Sequence, residues 1–288
     1  MKIIFPLLAI SIGAHADNIR LNLLPPGQPL DWSTPRSLFI SALKNRWEDG
    51  GRPFGHVYTE INCGEKKVVT STRCKNFNPI SEFVSGGRGL GILYHTYEGE
   101  LEEGPALQKE LQEQRHDRKM LSLEYKLNED QCARMLTYLD EFRALNAGRS
   151  YGLPHRPLFA EGGTDVAFAV SFLDVAGVLQ EKDREEWWNQ VNIPLAYSGP
   201  PLQDETANFI RVLFGATEWA MEKEKHKKLQ FYDTQKMYAW IGKEMQAGRS
   251  GCEDKNVRGI CLDASYLPVK KGSIWQQYTD PAYQKKKP

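Results

Sequence analysis

The sequence predicts an α+β fold in which an antiparallel sheet packs on a buried helix, with a C-terminal helical extension. Three features carry that prediction. Leu158 to Leu179 (LFAEGGTDVAFAVSFLDVAGVL) runs from a glycine-bearing turn straight into a helix that is apolar on most faces, so the helix belongs in the core with its polar start facing an opening. Upstream, β-branched and aromatic residues gather in short runs near residues 55–61, 67–72, 91–97 and 119–126, which favour strands. From Glu129 onward, and again beyond residue 180, apolar residues recur at helical spacing.

The first sixteen residues read as a secretory signal, with Lys2 as a basic start, Ile3 to Gly13 as an apolar stretch and Ala14-His15-Ala16 as the cleavage site. No later run approaches the roughly 18 apolar residues needed to cross a bilayer, so the expected product is exported, periplasmic or extracellular, without a transmembrane segment. Without Lys2 the chain holds 36 basic against 37 acidic residues, a net charge near −1 that gives no reason to expect nucleic acid. An exported chain with five cysteines is expected to form disulfides. Spacing pairs Cys63 with Cys74 and Cys252 with Cys261, each closing a short loop, while Cys132 shares the apolar stripe of Met135, Leu136, Leu139 and Phe142 and is expected as a packed free thiol.

In order, Asn18 to Pro35 carries four prolines, so residues 17–35 read as an extended arm laid over the fold. Thr34-Pro35 then opens a helix through Leu38, Phe39, Ala42, Leu43 and Trp47. In the strand that follows, period two places His56, Tyr58 and Glu60 on one face and Val57, Thr59 and Ile61 on the other, and Lys67 to Thr72 supplies the returning strand. A glycine-rich loop at Ile80 to Gly91, a strand at Gly91 to Tyr97, a charged stretch with a short solvated helix at Glu98 to Arg118, and a strand at Lys119 to Lys126 come next. Asn128 with Gln131 forms a capping box for a helix from Glu129 to about Ala147. The core thus spans residues 36–180. Residues 181–288 form the extension packed on it, with a charged and aromatic connection at Trp187 and Trp188, helices at 206–221 and 231–245, and an irregular end.

The order of these parts, a histidine-bearing strand GHVYTEI, further strands, a helix after LSLEYKL, a Tyr-Gly loop and a buried helix opened by a turn, resembles the circularly permuted papain-like group related to NlpC/P60 peptidases, including the YiiX-like and lecithin-retinol-acyltransferase-like proteins. Members carry a nucleophilic cysteine at the start of the buried helix, a histidine on the strand and a third polar residue that orients the imidazole. The resemblance matches Gly55-His56 to the histidine strand and Glu161 to Phe168 (EGGTDVAF) to the nucleophile turn, which puts Asp165 at the cysteine position. A carboxylate is a weaker nucleophile than a thiolate and would form an acyl anhydride, so the family route to peptide cleavage does not carry over. The resemblance implies a papain-like pseudoenzyme that binds a cell-envelope ligand or a protein partner in the former active-site cleft. The alternative is a cell-envelope hydrolase, acting on peptide, ester or glycan bonds, that uses His56 with Asp165 or Thr164.

Residue by residue, His56 can act as acid, base or ion partner, or merely bond the backbone at a strand edge. Asp165 at a helix start is stabilised as an anion and equally serves as an N-cap. Glu60 shares the face of His56, and Tyr58, His95, His155, Glu161 and Gly163 are the expected ligand-side residues. Glu161 with Asp165 also has the residue types of a glycosidase pair, although two acids at a helix start commonly cap it. No cofactor is implied. A metal site from His56, His95, Asp165 and Glu60 would use permissible ligand types, but no zinc spacing signature is present.

Overall fold

The computed structural model describes residues 17–48, 54–76, 81, 86–116, 120–249, 252 and 258–276. The signal stretch at 1–16 and residues 80 and 82–85 of the loop expected at Ile80 to Gly91 lie outside the described residues. Strand β1 (Asn18–Leu24) buries Ile19, Leu21 and Leu23 on one face and turns Arg20 and Asn22 to the other. It is no arm: it is an interior strand of the sheet, paired antiparallel to β2 (His56–Cys63) and to β5 (Leu121–Lys126). The prolines that suggested an arm begin at Pro25, just past its end. Helix α1 (Pro35–Glu48) starts as expected, with Thr34 Oγ1 accepting from the Ser37 N–H at 3.0 Å.

The seven-stranded sheet continues through β3 (Lys66–Cys74), β4 (Tyr97–Glu103), β6 (Ser150–Tyr151) and β9 (Gly259–Asp263), in the order β6-β4-β3-β2-β1-β5-β9. It is mixed and not purely antiparallel, because β9 runs parallel to β5. Gly91 to Tyr97, expected as a strand, opens as a 3-10 turn over Leu90–Tyr94. Gly91 packs against the Gly199 and Pro200 carbonyls, a contact between distant segments, and strand pairing resumes only at the acidic run of β4. Helix α2 (Pro105–His116) is less solvated than its charge suggests, since Leu107 and Leu111 bury against Tyr58.

On the opposite face of the sheet lie α3 (Glu129–Ala144), started by the expected Asn128/Gln131 capping box, and α4 (Asp165–Ala176). Every residue of α4 except Asp174 is buried. Tyr138 and Phe142 of α3 meet Phe168 and Phe172 of α4 with ring centroids 4.7–6.4 Å apart, and the Tyr138 hydroxyl bonds Ser171 Oγ at 2.8 Å, so the one polar group in this cluster is satisfied.

The C-terminal third is more than a helical extension. After α5 (Glu181–Trp187), strands β7 (Trp188–Pro194) and β8 (His226–Tyr232) form a separate antiparallel pair, with α6 (Phe209–Gly215) between them in sequence. The helix expected from Phe231 begins three residues later as α7 (Thr234–Gln246), capped by Asp233, because HKKLQFY alternates Leu229 and Phe231 inward with period two. Helix α7 packs on β1, β5 and β9, which ties this segment into the sheet.

Cys252 pairs with Cys261 as expected, but Cys63 pairs with Cys132, and Cys74 is the free thiol. The register explains the correction. Gly64 and Glu65 form the turn, so Cys63 faces Lys66, and Cys74 lies eight residues farther along β3, roughly 26 Å away at about 3.3 Å per residue. That is far beyond the roughly 7 Å limit between bridged Cα atoms, whereas the Cα atoms of Cys63 and Cys132 are 5.7 Å apart. Two disulfides fit an oxidising compartment. Among the described residues no helix is long and apolar enough to cross a membrane.

Candidate functional site

Helix α4 begins beneath the end of β2, and the turn before it sets the geometry. Gly162 has φ +83, and a side chain there would collide with the Ser150 carbonyl oxygen, while the Gly163 N–H donates to that same oxygen at 3.1 Å. This close approach lays β6, with Tyr151, beside the start of α4. Thr164 is the N-cap, its Oγ1 accepting from the Ala167 N–H at 3.4 Å. Asp165 is therefore not the cap, and its carboxylate points across to β2.

Asp165 Oδ2 accepts from the Val57 N–H at 2.7 Å and lies 3.0 Å from His56 Nδ1, and Oδ1 accepts from the Tyr151 hydroxyl at 3.2 Å. Both His56 and Asp165 are about 5% exposed. On the other side of the ring, His56 Nε2 sits 3.1 Å from Ser71 Oγ and 3.8 Å from Glu102 Oε2. The Ser71 hydroxyl gives its hydrogen to the Val57 carbonyl at 2.8 Å, which leaves its oxygen to accept from the ring. Ser71 is thus the polar residue that orients the imidazole from behind. Its distances match those of a serine-histidine-aspartate relay, yet it is wholly buried within the sheet and lines no part of the cavity described below. Burial, reinforced by the Asp165 charge, holds the Tyr151 phenol well above its ordinary range, so it stays a donor to Asp165.

His56, Asp165, Thr164 and Tyr151 form one end of a cavity of about 340 Å³. The remainder of the wall is largely apolar and comes from distant parts of the chain, including Leu30, Trp32, Phe39, Phe54, Leu93 and Phe231. Trp32 and Phe231 pack with ring centroids 4.8 Å apart. Cys74 also reaches the wall, but burial pushes its thiol up, and neither ring nitrogen of His56 is left over to take its proton.

Of the expected site residues, His56, Asp165, Thr164 and His95 line this cavity, the His95 ring meeting Tyr97 edge-on at 4.6 Å. The other five do not. Glu60 pairs with Arg115 and accepts from Asn22 at 2.7 Å beneath α2, too far along the strand to serve His56. Tyr58 is fully buried there, its hydroxyl donating to Glu110 at 2.6 Å. His155 is held between Thr96 Oγ1 at 2.8 Å and the Glu161 carbonyl at 2.6 Å. Glu161 accepts from Arg156 instead of pairing with Asp165, and Gly163 acts through backbone contacts. Tyr151 could have been read from the Tyr-Gly loop that leads into the turn. Ser71, Cys74 and Trp32 carry no local signal and enter through strand register and tertiary packing. Among the described residues no group of three or more His, Cys, Asp or Glu side chains is placed to hold a metal ion. Comparison of the chain with protein families, with curated proteins and with solved structures finds no match.

Proposed function

We infer that this chain is an exported papain-like scaffold of the permuted NlpC/P60 type that binds an apolar ligand in the cleft beside His56 and Asp165 and performs no thiol chemistry there. The observation that carries this reading is the 3.0 Å contact of His56 with Asp165 at the first turn of the buried helix, on the wall of a cavity otherwise dominated by apolar side chains. At the position where the resembling group holds its nucleophile, this chain has a carboxylate whose oxygens already receive three donors. A hydrolase using His56 with Asp165 or Thr164 would need a nucleophile with a free base. Here the base is occupied on both nitrogens and the Thr164 hydroxyl oxygen caps the helix.

The test is saturable binding of the uncharged fluorescent probe N-phenylnaphthylamine to the intact chain. Leu153→Trp, which fills the cavity from a partly exposed loop position, is expected to weaken that binding at least tenfold with the fold retained by circular dichroism. Unchanged binding in this variant, or turnover of peptide or ester substrates that is lost in His56→Ala, would overturn the reading.

A further inference from the structure

Helices α1 and α6 leave apolar side chains outside the core. On α6, Val212 and Ala216 face inward in one cluster with Leu38 of α1, while Ile210 and Phe214, one turn apart, are 63% and 65% exposed. Helix α6 packs beside α1, and the Arg36 guanidinium of α1 lies 6.0 Å from the centroid of the Phe214 ring. One turn along α1 from Arg36 comes Ile40, 37% exposed, and one turn farther comes Lys44, also exposed. Three of the six large apolar side chains exposed among the described residues therefore lie within about a turn of this one contact. Single exposed apolar residues are ordinary, whereas a group of them marks a surface that meets something.

The charges on this ridge select the partner. Arg36, Lys44 and Arg211 are exposed, and none forms an ion pair with a carboxylate among the described residues. Arg36 and Arg211 lie instead over aromatic rings, those of Phe214 and Tyr197, at 6.0 and 5.8 Å. Protruding apolar side chains set among unpaired cations suit the boundary of an anionic bilayer, where the apolar groups enter the acyl region and the cations meet lipid phosphates. The inner side of the same helix, through Pro35, Leu38 and Phe39, lines the cavity, so a bilayer on the outer side would lie one helix away from it.

We propose that the α1/α6 ridge docks the protein on an anionic lipid surface, with Ile40, Ile210 and Phe214 inserted and Arg36, Lys44 and Arg211 at the phosphates. Docking needs no ligand in the cavity, so it goes beyond the binding reading and stands or falls apart from it.

The experiment is flotation of the intact chain with vesicles of phosphatidylcholine alone and with vesicles of one part phosphatidylglycerol to two parts phosphatidylcholine. The partition coefficient is expected to be at least tenfold higher on the anionic vesicles at low salt and to fall as salt is raised. Ile210→Ser with Phe214→Ser, both at exposed positions, is expected to lower it at least tenfold with the fold retained by circular dichroism. Arg36→Gln with Arg211→Gln is expected to lower it about tenfold and to remove most of the salt dependence. No preference for the anionic vesicles, or partition unchanged in either double variant, would overturn the proposal. So would sedimentation of the parent as a dimer that the Ile210→Ser and Phe214→Ser variant dissociates, because a second copy of the chain would then cover the ridge.

Discussion

Removing the Asp165 carboxylate tests how much the buried contact between α4 and β2 contributes to stability. Asp165→Ala would strand three donors, the Val57 N–H, the His56 ring and the Tyr151 hydroxyl, at a position about 5% exposed. Breaking a buried pair from one side costs about 3–5 kcal/mol, because the partner is left uncompensated. At about 2–4 °C per kcal/mol for a chain of this size, the melting temperature should fall by roughly 6–20 °C. His56→Ala strands the Asp165 charge and should cost a similar amount. The double variant removes both partners at once, so it should be more stable than the sum of the single losses predicts by about 2 kcal/mol or more. Urea unfolding of the four proteins at pH 7, with a common slope, measures this coupling. Additivity within about 0.5 kcal/mol, with Asp165→Asn costing under about 1 kcal/mol, would mean that the His56–Asp165 contact does not hold β2 to α4.

Further outcomes follow from the same geometry. Asp165→Cys, made in a Cys74→Ser background, should be alkylated by iodoacetamide near neutral pH because the new thiol would lie beside His56, and an inert thiol would refute the match of position 165 to the nucleophile turn. Native Cys74, its thiol pushed up by burial, should react more slowly at pH 7 than an unfolded cysteine. Non-reducing peptide mapping should join Cys63 to Cys132 and Cys252 to Cys261. The first bridge closes 69 residues of sequence, so replacing both of its cysteines by alanine should cost up to about 4 kcal/mol in the chain-entropy model, and a Cys63–Cys74 peptide would refute the register of β2 and β3. The folded chain holds the Tyr151 proton to higher pH than the unfolded chain does. That contribution is present below the ordinary value of 10 and is lost as pH rises above it, so Tyr151→Phe should flatten the alkaline fall in stability relative to the parent, and identical slopes would refute the assignment.

Much of the local structure was legible from residues close together in the chain. The caps at Thr34 and Asn128, the mostly apolar faces of α4 and the two faces of β2 all rest on preferences acting within about four residues, where sterics and solvation of neighbours decide the backbone. The same locality explains what went astray. The prolines at 25 and 26 mask the alternation of β1, and Phe231 fits the apolar spacing of a helix that starts only after Asp233. The facing of His56 and Asp165 was anticipated from the order of motifs, but their contact, across 108 residues between Val57 and Asp165, needed the sheet in place. Nothing local could tell that Cys63 sits at a two-residue turn with Cys132 overhead, or that Ser71 would stand behind the imidazole, because each depends on register between strands. The cavity is the extreme case. Leu30, Trp32 and Phe231 reach the same wall as Asp165 only because β1, α4 and the β7/β8 pair pack together, and burial of apolar surface is non-directional, so it leaves no spacing in the sequence from which that wall could be read.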